Sequence, residues 1–325
     1  MRIGSGRLGR LVLLEMDYQI DTSDGCSLSY WLRRAPNQPA SVILLIHGAA
    51  SNHTRWSEFV DETRLSATWD LLRPDMRGNG ESAYRGRLNL ELWSRDLREI
   101  LDAEGYPRAL LVGHSLGAQI AIQFAHDFPD RVQGLSLIDP VARSALIGRK
   151  RWLARTRPLF LVGIWVARAL NTLGVRRRQI PDRDLRILDQ ETRAALSEGQ
   201  SAEEIAKRYS ALGPILRYQP TANYLQQLVA TTADFPDLTQ ITVPVQVLLS
   251  KGITFADPQV NRQELGRFTD VQFTSIVANH WPLTECPDDV RRAIEDWVDD
   301  QFSQSTPPAA GPTASSPQAP KPLSP

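Results

Sequence analysis

The chain has 325 residues, with 37 basic and 37 acidic side chains and no formal net charge at neutral pH. That length suits one large α/β domain with an insertion, and the charge balance carries neither a nucleic-acid-binding nor an acidic-tail signature. Two cysteines, Cys26 and Cys286, are too few for a disulfide framework. No Cys/His cluster has metal-binding spacing, and a reducing cytosol is the simplest compartment.

Residues 1–16 place Arg2, Arg7 and Arg10 ahead of a four-residue apolar run at 11–14. The run is too short for a secretory signal and no small-residue cleavage site follows, so this stretch is expected to be a loose extension. Two alternating runs, 18–21 and 27–32, flank Asp24-Gly25 and predict a β-hairpin. An apolar strand is expected over 41–46, ending in His47-Gly48-Ala49-Ala50, and a shorter one over 69–72, ending in the turn 73–82. Residues 90–103 repeat apolar positions at helical spacing.

Residues 109–112 are continuously apolar and predict a buried parallel strand. Gly113-His114-Ser115-Leu116-Gly117 follows, and then a mostly apolar helix begins. Strand, sharp turn and helix are the context that a G-x-S-x-G nucleophile elbow requires. Glycines on both sides let strand and helix approach, which lifts Ser115 above the sheet at a helix N-terminus. Another strand over 132–138 closes at Asp139-Pro140.

From 141 to 235 the pattern is helical with no strand, including a capping-box signature at residues 201–204. Strands resume over 245–249 and 271–277. Pro287 opens a closing helix, and 303–325 holds seven prolines in a Ser/Ala/Gly background, an expected disordered tail. Strands alternating with helices imply a mainly parallel sheet covered on both faces, with ligands beyond the carboxyl ends of its strands. His47, Asp75, Ser115, Asp139, Asp257 and His280 all fall at such ends.

His47-Gly48, Asp75-Met76-Arg77-Gly78-Asn79-Gly80-Glu81-Ser82, Gly113-His114-Ser115-Leu116-Gly117 and Asn279-His280-Trp281-Pro282 occur in that order. The chain therefore resembles the cap-bearing, single-domain esterase and lipase-like group of α/β-hydrolases, from about 18 to 302. The resemblance implies a core of residues 17–140 and 236–302 with an inserted helical cap at 141–235. It implies Ser115 as nucleophile and His280 as general base, in the order Ser, Asp, His. The orienting acid is usually placed just after the strand at 245–249, where Asp257 is favoured over the alternative, Asp139. The oxyanion donors would be the backbone N–H groups of Leu116 and Ala49. Ser115 separates the chain from relatives with an aspartate nucleophile.

The expected activity is hydrolysis of a carboxylic ester through an acyl-enzyme, with no metal or organic cofactor. The expected substrate is a small ester with an apolar acyl or aromatic part, and no nucleic acid. The same triad could instead serve C–C bond hydrolysis or cofactor-free peroxidase chemistry, or the scaffold could be a non-catalytic binding protein. Residues 159–167 are continuously apolar, a buried cap helix or a pocket wall. Ten basic and no acidic residues lie between Val141 and Arg178. A solvated face is the default for such a run, and contact with an anionic membrane is the alternative, so the expected location is cytoplasmic with peripheral membrane contact as an option. Oligomeric state is not legible.

Overall fold

The computed structural model describes residues 15–36, 41–177, 180–201, 212–252, 256–279 and 281–302. His280, residues 202–204 of the capping-box signature, the extension at 1–14 and the tail at 303–325 lie outside the described residues.

Eight strands form one sheet: β1 (Met16–Asp21), β2 (Ser27–Arg33), β3 (Ser41–Ile46), β4 (Trp69–Pro74), β5 (Ala109–His114), β6 (Val132–Ile138), β7 (Val245–Ser250) and β8 (Val271–Ile276). Their spatial order is β1-β2-β4-β3-β5-β6-β7-β8. The β1–β2 and β2–β4 pairs are antiparallel, and every later pair is parallel. The hairpin turn places Gly25 at φ 78°, a conformation glycine adopts without steric cost. β1 takes in Met16, within the stretch expected to be loose. Glu15 just before it is anchored by an ion pair to Arg73.

The central strands are buried on both faces, and their successive side chains point to opposite sides. Val42, Leu44 and Ile46 of β3 join one apolar cluster with Trp93, Leu97, Ile120 and Phe124. Ile43 and Leu45 join the other, with Phe59, Val290, Ile294 and Trp297. One face is thus covered by α2 (Leu90–Ala103) and α3 (Leu116–Asp127), after the short α1 (Ser57–Glu62) has packed on the other. Each fully buried Leu or Ile contributes about 1.5–3 kcal/mol. Asn89 starts α2 by accepting from Leu92 N.

Between β6 and β7 the described chain is helical: α4 (Gly148–Arg155), α5 (Arg157–Thr172), α6 (Leu185–Ser197), α7 (Leu212–Tyr218) and α8 (Thr221–Ala230). The apolar stretch expected to be buried or to wall a pocket lies in α5, where Ile164 is buried but Leu159 and Trp165 are 69% and 71% exposed. α5 packs against α8 and leaves its opposite side uncovered. The remaining helices among the described residues are α9 (Pro258–Leu265), α10 (Pro282–Glu285) and α11 (Pro287–Phe302).

Candidate active site

Ser115 stands between β5 and α3 with φ 54° and ψ −112°. Its neighbours explain how that conformation is held. A Cβ on Gly113 would overlap the Gly117 carbonyl, and a Cβ on Gly117 would overlap the carbonyl of Ile46 on β3. Strand and helix therefore pass closer than any side chain would allow. Ser115 N donates to Ile138 O at 2.9 Å, and Ser115 O accepts from Ala118 N at 3.0 Å. The N–H of Leu116 opens α3, in the first turn, whose N–H groups have no intrahelical partner and lie at the positive end of the helix dipole.

The loop after β3 lies against this serine: a Cβ on Gly48 would sit 3.5 Å from Ser115 Cβ. His47 fixes the loop. It is buried, its Nδ1 is 2.8 Å from Gly48 O, and its Nε2 accepts from Met76 N at 3.1 Å. Those partners require a neutral ring with its proton on Nδ1, and burial lowers its pKa in the same sense. Ala49 follows Gly48, and Ala50 has φ 53°. Ala50 N donates 2.7 Å to Oε1 of Gln227, a buried residue of α8. Gln227 Nε2 in turn donates to Asn79 Oδ1 at 2.9 Å and to Gln219 Oε1 at 3.1 Å. Sequence reasoning did not single out Gln227, since nothing local marks a partner 177 positions away.

The two candidate acids occupy different settings. His114 and Ile138 are register partners, so Ser115 and Asp139 directly follow paired residues on neighbouring strands. Asp139 is buried at φ 48°. Its Oδ1 accepts from Ser250 N at 2.8 Å and its Oδ2 from Ser250 Oγ at 2.6 Å. Burial raises its pKa to about 6, against the lowering effect of those two bonds. A cleft beside it is lined by Pro140, Leu249, Ser250, Ala256 and Asn261. Asp257 instead is the N-cap of α9, with Oδ1 accepting from Gln259 N and Val260 N, each at 3.0 Å.

Among the described residues, the non-glycine positions with positive φ are Ala50, Ser115 and Asp139. They stand just beyond β3, β5 and β6, three adjacent strands. Each such residue costs about 1–3 kcal/mol, and such strain concentrates at functional sites.

The loop beyond β8 is anchored at Ala278 and Asn279. Asn279 N and Nδ2 each donate to Glu285 Oε2 at 2.9 Å. Gly252 N donates to Ala278 O at 2.8 Å, and a Cβ on Gly252 would collide with Asn279 Oδ1. The segment between β6 and β7 contacts both loops, and Thr284 Oγ1 beyond β8 donates to Asp189 Oδ1 of α6 at 2.9 Å. Asn52 Nδ2 donates to Arg183 O at 2.7 Å, and Arg55 bonds both Asp189 of α6 and Thr284 of α10.

The turn after β4 uses its polar groups internally. Asp75 accepts from His53 N and Glu81 N at 2.7 and 2.8 Å, and His53 Nδ1 lies 3.0 Å from its Oδ1. Arg77 is fully buried between Asp96 and Asp24, at 2.6 and 2.7 Å. His126 sits in the last turn of α3, away from the serine.

A G-x-S-x-G elbow on the fifth strand, in a sheet of this order, defines an α/β-hydrolase. Residues 43–293 match the alpha/beta hydrolase family, and the chain belongs to it. It is 36% identical over 107 residues to the uncharacterized protein Rv2715 of Mycobacterium tuberculosis, covering 33% of this chain and 30% of that one. The chain thus spans under a third of that curated relative's length. It is 29% identical over 195 residues to the putative carbamate hydrolase RutD of Klebsiella pneumoniae, covering 55% of this chain and 67% of RutD. A thermophilic esterase from Thermogutta terrifontis is similar in fold, with TM-score 0.60 and 22% identity over 88% of this chain and 99% of that one.

Proposed function

We propose that the protein is a serine hydrolase that cleaves a carboxylic ester through an acyl-enzyme. Ser115 is the nucleophile, His280 its general base, and Asp139 the acid that orients His280. The observation that carries this reading is the convergence of Ala50, Ser115 and Asp139, all at positive φ, on adjacent strand ends. Asp257 is assigned to capping α9, whose first amides its Oδ1 accepts from, and Asp139 is preferred because it follows the register partner of His114, one strand from Ser115.

In the first half-reaction Ser115 Oγ attacks the acyl carbonyl while its proton passes to His280. Charge develops on the carbonyl oxygen, and the amides of Leu116 and Ala49 receive it. Collapse breaks the ester bond, and His280 returns the proton to the departing alcohol. Water then attacks the acyl-enzyme by the same steps, releasing the acid and restoring Ser115. The inserted helices act as a cap, supported by the contact of Gln227 with the loop that carries Ala49 and Ala50.

The likeness to RutD favours carbamates as a second substrate class, since an acyl carbon with a heteroatom leaving group needs the same donors. Incubation with a fluorophosphonate, followed by mass spectrometry, is expected to place one adduct on Ser115. A panel of p-nitrophenyl esters of rising chain length, with a p-nitrophenyl carbamate beside it, ranks the two classes. Absence of labelling together with no turnover across the panel would exclude the hydrolase reading and leave a binding protein on this scaffold.

A further inference from the structure

The outer half of α5 reverses the usual pattern of a surface helix, whose solvent side should be polar. From Pro158 to Leu173 the exposed positions are apolar except Thr172. Leu159, Leu161, Val162, Trp165, Val166 and Leu170 project from it, and Leu173 is 79% exposed just beyond its end. The inner side is committed: Ile164 is buried, and Gly163 lies where an added Cβ would be 4.0 Å from Leu225 Cδ1 of α8. A contiguous apolar patch of this kind marks an interaction surface.

The charge around the patch selects its partner. Arg151 and Arg155 are exposed before the helix, and Arg176 after it. No Asp or Glu occurs from Val141 to Pro181, although the whole chain is neutral. A second copy docked through the same patch would set arginine against arginine, because a two-fold contact pairs each surface with itself. The chain's own N-terminal segment is also basic, with Arg2, Arg7 and Arg10. An anionic lipid surface complements both features. Among the described residues no helix is long and apolar enough to cross a membrane, so the patch would lie on the surface rather than span it.

We infer that α5 docks the protein on anionic membrane, its apolar half in the headgroup boundary and the flanking arginines over the lipid charge. Trp165 near the middle of the patch is suited to that boundary. The inference stands apart from the catalytic reading, since none of these residues is placed in the chemistry.

Co-sedimentation of the full chain decides it, with vesicles of pure phosphatidylcholine and of equal parts phosphatidylcholine and phosphatidylserine. Binding is expected to the mixed vesicles only, and to weaken as salt rises. Each arginine at such a surface strengthens partitioning about fivefold, so Arg151→Gln, Arg155→Gln and Arg176→Gln together should weaken it by about 10². Val162→Glu with Trp165→Glu should abolish it with melting temperature retained, because both sites are exposed. Failure of the wild-type chain to pellet with mixed vesicles would overturn the inference. So would equal pelleting with both vesicle types, or undiminished binding by the double-glutamate variant. Sedimentation velocity without lipid supplies the remaining arm: a wild-type dimer that Trp165→Glu dissociates would assign the patch to a second copy instead.

Discussion

Replacing Asp139 by Asn tests the assignment of the acid while changing little else. The amide keeps the side chain's volume, and its oxygen can still accept from Ser250 N, now 2.8 Å from Oδ1. Ser250 Oγ, at 2.6 Å from Oδ2, can turn to accept from the new amide. What is lost is the negative charge and, on the proposed assignment, the acceptor that would hold the imidazole in its working tautomer. The equivalent change in a serine protease lowers kcat about 10⁴-fold, which is about 5.5 kcal/mol of transition-state stabilisation. Stability should move the other way. The folded pKa of Asp139, about 6, lies above its ordinary value of 3.8. The native state therefore binds the extra proton between those values, and the wild-type chain loses stability as pH rises through that window. Asn carries no such loss, so the variant should match wild type below about pH 4 and exceed it by up to about 3 kcal/mol above pH 6. Urea melts at acid and neutral pH give the stability, and kcat/KM on a p-nitrophenyl ester gives the activity. Asp257→Asn is the control, since Asn caps a helix as well as Asp. If Asp257→Asn is the crippled variant and Asp139→Asn turns over normally, the assignment is refuted.

Ser115→Ala should lower kcat on the order of 10⁶-fold with an unchanged circular dichroism melt, and wild-type-like turnover would end the mechanism. Gln227→Leu removes the acceptor for Ala50 N and should cut kcat by up to about 10²-fold, with Gln227→Glu, which keeps that acceptor, recovering part of it. Gly117→Ala places a methyl group against the Ile46 carbonyl and should yield little folded protein, measured as the soluble fraction on expression. Arg77→Met strands the buried Asp96, whose pKa burial already lifts to about 6, and should cost about 3–5 kcal/mol in a urea melt.

The hairpin about Gly25, the strands and the elbow are legible in the sequence because their causes are local. Residues 42–46 read as a doubly buried strand, since alternate side chains serve two apolar clusters and both sets must be apolar. Gly113 and Gly117 are legible because the overlap they avoid lies within the turn or on the adjoining strand. The resemblance carried by the motifs at His47, Asp75, Ser115 and His280 implied an α/β-hydrolase with a mainly parallel sheet, and the eight-stranded sheet with the family match bears it out.

Three matters depend on how the distant parts of the chain are assembled. Asp139 and Asp257 are both aspartates before a proline near a strand end, and the resemblance favours Asp257 by its place after the strand at 245–249. Strand pairing sets Asp139 one step beyond the register partner of His114, whereas helix capping occupies Asp257. The bond from Ala50 N to Gln227 depends on where an inserted helix lands, which is a property of packing between distant segments. The run at 159–167 is apolar on every side, so its periodicity could not say which side would be covered. Among the described residues, packing against α8 goes with a buried Ile164, while Leu159 and Trp165 face outward. Local sequence sets backbone geometry and the faces a strand or helix can offer, whereas contacts across a hundred residues depend on which faces the finished fold brings together.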